Sequence, residues 1–166
     1  MRGTPPAPIA RDEIRGRQLA VAADIAALGL DGLLIWSSCG SSLDSFGNAF
    51  YLTSHYSPVP RVNVDIEPFM TGWGQTAVVL KPDGTTVLVS ENPDIRHDLI
   101  VADRVMASRD VYAETIAALK DAGLERARVG LVGASCMPVA AWRRIVEADR
   151  KSTRLNSSHE WISRMP

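Results

Sequence analysis

Three histidines, two cysteines and four tryptophans are the side chains here from which chemistry would most readily be built. His97 stands in Asp94-Ile95-Arg96-His97-Asp98, where a helix would place Asp94 and His97 on one face, as in part of a metal site. A solvated helix face accounts for the same residues. His55 sits beside Tyr56 in a long irregular stretch, where it would serve as a polar group in a pocket or simply as a loop residue. Neither Cys39 nor Cys136 has a CxxC neighbour, so structural zinc is not expected. Ser37-Ser38-Cys39-Gly40-Ser41-Ser42 could present backbone N–H groups to an anion, but it lacks the GxxxxGK[ST] pattern of a phosphate loop. Gly130-Leu131-Val132-Gly133 is likewise no GxGxxG fingerprint. The carboxylates Asp65/Glu67 and Asp94/Asp98 show no pairing that demands acid–base work. Trp36 and Trp142 read as core. Trp73, between Gly72 and Gly74, is costly to expose unless it packs on something. No catalytic set in this chain is complete by itself.

The elements that must position these residues belong to an ordinary globular chain. Its 166 residues suit one domain, and 46% hydrophobic against 22% charged residues excludes a disordered or fibrous chain. With 18 basic and 19 acidic residues the net charge is −1, which leaves no electrostatic footprint for nucleic acid or an anionic membrane. Apolar runs such as Ala77 to Leu80 are far too short to span a bilayer. Met1 to Ala10 carries Arg2 but prolines where a signal peptide needs an apolar stretch. Two cysteines fit a reduced, cytoplasmic protein.

Arg11 to Leu28 predicts a helix, with Asp12 as its cap and Ile14, Val21, Ile25 and Leu28 recurring at three- and four-residue steps. Leu33 to Trp36 predicts a strand buried on both faces, and Ala49 to Thr53 a second strand or one helical turn. Ser54 to Trp73 contains Pro58, Pro60 and Pro68 and reads as a long functional or interfacial loop. Thr76 to Leu80 and Thr85 to Val89 flank Lys81-Pro82-Asp83-Gly84, a hairpin with its turn. Helices are expected over Asn92 to Ala102, Arg109 to Ala122 and Met137 to Val146, with a strand at Val129 to Val132. The order predicts an α/β fold, a mixed β-sheet flanked by helices. Residues 1–10 read as a flexible lead-in and 11–148 as the domain. Asp149 to His159 resembles the in-frame translation of a sequencing-library adapter, with Glu160 to Ile162 as index bases and Ser163 to Pro166 the adapter resuming. The tail 149–166, His159 and Trp161 included, is therefore expected to carry no site.

Ala26-Ala27-Leu28-Gly29-Leu30-Asp31-Gly32-Leu33-Leu34-Ile35 resembles the opening of the creatinase/prolidase N-terminal domain. Asn48-Ala49-Phe50-Tyr51-Leu52-Thr53 is similar to that family's Asn-x-x-Tyr-Leu-Thr-Gly segment, with Ser54 where glycine is usual. The resemblance extends from Asp12 to Glu147. It implies a parent hydrolase of the aminopeptidase P/prolidase type whose catalytic domain, with a dinuclear divalent metal (Mn, Co or Zn), follows and is absent here. This chain would then hold no metal or cofactor itself. Its partners would be that catalytic domain and a second copy in a homodimer. Trp73-Gly74-Gln75 looks like the aromatic-Gly-Arg stretch of creatinase-like members, with Gln75 where arginine would be expected. A neutral amide cannot form arginine's bidentate pair with a carboxylate, which disfavours creatine as substrate. The resemblance thus implies a non-catalytic assembly and substrate-gating domain, with Trp73, Gln75, His55 and Arg61 at the entrance to a partner's cleft. The alternatives are a stand-alone binding module or a creatinase-like amidinohydrolase parent.

Overall fold

The computed structural model describes residues 8–38, 46–57, 71–91 and 95–151. Five strands among them form one mixed sheet: β1 (Gly32–Ser38), β2 (Gln75–Leu80), β3 (Thr86–Ser90), β4 (Arg104–Ala107) and β5 (Val129–Val132). Their order is β4-β3-β2-β1-β5, antiparallel for β1–β2 and β2–β3, parallel for β1–β5 and β3–β4. Side chains alternate across a strand, so a strand buried on both faces must be apolar throughout. Leu34, Trp36, Ala77, Val79, Val87 and Val89 point to one face, Ile35, Val78, Leu80 and Leu88 to the other. α3 (Val111–Asp121) and α4 (Val139–Lys151) cover the first face, α1 (Arg11–Ala27) and α2 (Gly47–Thr53) the second. The expected mixed sheet flanked by helices is the observed architecture. The hairpin lies where its turn residues put it, Lys81 and Thr85 closing it through Lys81 N–H to Thr85 O.

Three local expectations change. Ala10, not Asp12, precedes α1 as its cap residue, and no side chain caps that end. Leu28 ends up half exposed, so the inward face of α1 is carried by Ile14, Gln18, Ala22 and Ile25. Of the two readings of residues 49–53 the helical one holds, within α2. Residues 95–102 form turns rather than the expected helix, because other elements claim their backbone groups. Val101 N–H donates to Thr53 O, Arg11 Nη1 to Ile100 O, and Gln18 Nε2 to Val101 O. β4, which follows, has only four residues and an exposed outer face, too little periodicity to read in advance.

Two backbone positions explain their residue types. Ser54 ends α2 in the left-handed region at φ 58°, which costs a non-glycine residue about 1–2 kcal/mol. Glycine is usual there in the resembling motif for that reason. Gly133, at φ 81°, lets the chain leave β5 so closely against β1 that a Cβ would lie 2.1 Å from Trp36 O.

Gln18 joins the layers. It is fully buried on α1, and its Nε2 donates 2.7 Å to Leu52 O and 2.8 Å to Val101 O, while its Oε1 accepts from Arg15 Nη1. Arg15 in turn makes a two-pronged pair with Asp103, whose Oδ2 accepts from Thr86 N–H at the start of β3. The exposed Arg15–Asp103 pair adds little, whereas losing Gln18 strands two buried carbonyls. Gln18→Leu is therefore expected to cost about 1–3 kcal/mol despite the apolar area gained. A lowered urea midpoint at unchanged m would show it.

Candidate functional site

One end of the sheet is polar although it is buried. The last residues of β1 and β3 meet the first of β2 there, and the pairing Ser37↔Thr76↔Ser90 sets three hydroxyls in a row on the α2 side. All three are fully buried. Ser37 Oγ accepts from Ala49 N–H, which seats α2 on the sheet. Thr76 Oγ1 has no hydrogen-bond partner and is the one such buried side-chain atom among the described residues. Leaving it so costs on the order of 1–3 kcal/mol.

On the opposite face Gln75 fills the equivalent position. Its Oε1 accepts from Trp36 Nε1 at 3.0 Å and its Nε2 donates to Tyr112 Oη at 3.4 Å. Trp36 and Tyr112 rings lie 6.0 Å apart, and the Arg144 guanidinium sits 5.6 Å from the Tyr112 centroid while pairing with Asp110, the cap of α3. Gly72 presses on this group: a Cβ there would come within 2.9 Å of Val111 Cβ and Tyr112 Cε1. Gly72 and Gly74 have φ of 79° and 70°, and Gln75 N–H donates to Gly72 O. Trp73 is thus carried on a tight glycine turn at the polar end, half-buried.

The densest ionisable cluster lies beside the hydroxyl row. His55 Nε2 is 3.1 Å from Ser90 Oγ, Ser90 Oγ donates to Glu91 Oε2 at 3.4 Å, and Ser57 Oγ donates to Glu91 Oε1 at 2.8 Å. Phe46 packs edge-on against both His55 and Tyr56. His55 is 4% exposed and Glu91 1%, so each has lost the water that would stabilise its charge. Burial lowers the His55 pKa from 6.5 to about 4 and raises that of Glu91, against the pull of the Ser57 hydrogen bond. A neutral His55 bearing its proton on Nε2 would donate to Ser90, which passes its own hydroxyl proton toward Glu91.

Three of the four expected gating residues, Trp73, Gln75 and His55, lie among the described residues. Gln75 is 2% exposed with its amide engaged inside the domain, and His55 is buried in the cluster. Both therefore point inward rather than toward a neighbouring cleft. The Gln75 amide is engaged by Trp36 and Tyr112. Trp73 alone is partly open, and Arg61 lies outside the described residues, as do Cys39, Asp65, Glu67, Asp94 and His159. His97 is exposed in a turn, where neighbouring Asp98 pairs with Arg96. Glu91 escaped the sequence reading. Its one signal is a carboxylate placed directly after a fully buried strand.

A dinuclear metal needs several converging carboxylates and imidazoles. Among the described residues no three His, Cys, Asp or Glu side chains come together, and His55 and Glu91 are separated by Ser90. These residues do not fit such a centre.

Replacing Gln75 by Leu should destabilise the domain by about 1–3 kcal/mol, since the buried Trp36 N–H loses its acceptor. Near-ultraviolet circular dichroism of Trp36 and a urea titration would register the change. The His55 shift has its own consequence. Its folded pKa lies below the unfolded one, so the unfolded chain binds more protons between pH 6.5 and 4. Stability contributed above 6.5 is lost through that window, by about 3 kcal/mol in full. Glu91, shifted upward, works the other way: acidification through its raised pKa toward 4.5 favours the folded state and offsets part of the loss. In urea titrations from pH 7 to 4.5, His55→Asn should remove the histidine share and flatten or reverse the slope.

No family model matches the sequence, and no curated protein matches it. Solved structures do match. The N-terminal creatinase/prolidase-like domain of a metallopeptidase described from Corynebacterium diphtheriae superposes with a TM-score of 0.52 at 14% identity, over 81% of this chain and 87% of that one. A prolidase from Thermococcus sibiricus gives 0.55 at 15% identity over 87% of this chain but 34% of its own length. A Streptococcus pyogenes Xaa-Pro aminopeptidase gives 0.54 at 12% identity, covering 82% of this chain and 86% of that one. The chain spans about a third of the prolidase. Five strands in this order, helices on both faces and these superpositions together give the chain the fold of the creatinase/prolidase N-terminal domain.

Proposed function

We propose that this chain is the non-catalytic N-terminal assembly and substrate-gating domain of an Xaa-Pro peptidase-type metallohydrolase, present as a fragment. The likeness of its fold to N-terminal domains and peptidases of that kind carries the reading. The catalytic metals, Mn, Co or Zn, would be held by a following domain. The chain would work in the cytoplasm as a homodimer packed on its own C-terminal domain, with neither nucleic acid nor membrane as partner.

Within that reading Trp73 is the gating side chain. Gln75 and His55 are positioning residues: the first closes the glycine turn beneath Trp73, and the second secures the neighbouring segment. The Trp73 ring is presented from a turn whose backbone only glycines fit, which is how a rigid scaffold holds a contact residue at its edge. Arg61 would act from the adjoining connection.

Sequencing the source locus past the codon for Ala148 tests the proposal. The frame should continue for about two hundred residues or more, a further domain, with Asp, Asp, His, Glu and Glu ligands in order. In the restored protein Trp73→Ala should raise KM for an Xaa-Pro peptide several-fold or weaken the dimer, with little change in kcat. A genomic stop after Pro166 would overturn the proposal in favour of a stand-alone module. A continuation lacking those ligands would point to a creatinase-like or binding role instead.

A further inference from the structure

We infer that the His55–Ser90–Glu91–Ser57 chain is an acid-sensitive latch: a proton on His55 frees residues 54–57 from the end of β3 while the sheet stays folded. The inference stands apart from the peptidase reading, since it concerns only how this domain holds its own segments.

Residues 54–57 leave α2 through a left-handed Ser54 and run without regular structure. Side chains fasten them to the sheet. His55 reaches Ser90, Ser57 reaches Glu91, and Phe46 lies edge-on to His55 and Tyr56 at 5.6 and 5.3 Å. The strained Ser54 conformation favours release once those contacts go.

Every hydrogen bond in the chain is satisfied with His55 neutral. A second proton would put a charge between the Phe46 ring and a buried hydroxyl. Among the described residues Glu91 is the ionisable group facing His55, from the end of β3. α2 brings Phe46 and Thr53 to it, and β2 brings Thr76, none of which titrates in this range. Glu91 stands one hydroxyl away rather than in contact, so it compensates little. Because burial raises the Glu91 pKa, acidification also removes the negative charge nearest His55 among the described residues. The cheapest way for His55 to become charged is to enter water, and residues 54–57 go with it. Other contacts of α2 are independent of this step: Ser37 Oγ still holds Ala49 N–H, and Gln18 still holds Leu52 O. Opening is therefore local. It unpins residue 57 and residue 91, from which the connections to Thr71 and Ile95 depart, at the same end of the sheet as Trp73.

Hydrogen exchange on the full chain at pH 7 and pH 4.5, corrected for the intrinsic pH dependence of exchange, tests this. Protection of amides 54–57 should fall about tenfold or more, while β1, β2 and β3 keep theirs. Glu91→Gln should enlarge the response by removing the opposing titration, and His55→Phe should abolish it. If His55→Phe does not fold, the His55 ring resonances of the unmodified chain should titrate with the same midpoint as the opening. Equal protection of 54–57 at both pH values would overturn the latch. So would its loss together with β1 and β2, or an undiminished response in folded His55→Phe.

Discussion

A sheet covered on both faces offers its polar side chains no water, and that constraint governs the molecule. Strands β1, β2 and β3 are buried nearly throughout, so each hydroxyl, amide or imidazole they carry must find a protein partner. The domain meets the requirement by collecting such groups at one end. Gln75 answers the Trp36 N–H there on one face, and Ser90 lies against His55 on the other. Thr76, between them in the hydroxyl row, shows what an unanswered group looks like.

The same constraint decides what this end can do. The Gln75 amide is engaged at both ends inside the domain, while its backbone N–H closes the glycine turn that carries Trp73. A histidine and a glutamate kept in a dry cluster resist charging, which makes their shared segment responsive to acid.

Local chemistry made several elements readable in advance. Leu33 to Trp36 is apolar without alternation, which only a strand covered twice requires, and Pro82-Asp83-Gly84 admits little but a turn. Gly123 stops α3 because a left-handed stop is written in its residue type, whereas the Asp110 cap at the other end emerged with the structure. The segment 95–102 was not readable: its Pro93 start and its apolar residues suit a helix, yet Thr53, Arg11 and Gln18 from distant parts of the chain take its backbone groups. β4 is equally dependent on context, since a four-residue edge strand exists through its pairing with β3.

Side-chain direction divides what sequence determined from what tertiary structure decided. Residue order by itself determined a mixed α/β domain, its central hairpin, a buried Trp36 and a Trp73 set between two glycines. Those features follow from period, turn chemistry and burial of apolar area, which act over a few neighbouring residues. Tertiary structure alone decided that Gln75 turns inward to Trp36 and Tyr112, and that His55, Ser57, Ser90 and Glu91 share one dry cluster. The cluster residues are up to 36 positions apart, and Gln75 stands 39 positions from Trp36 and 37 from Tyr112. Only strand register and the closing of α2 over the sheet bring them within hydrogen-bonding distance, where loss of water sets their protonation.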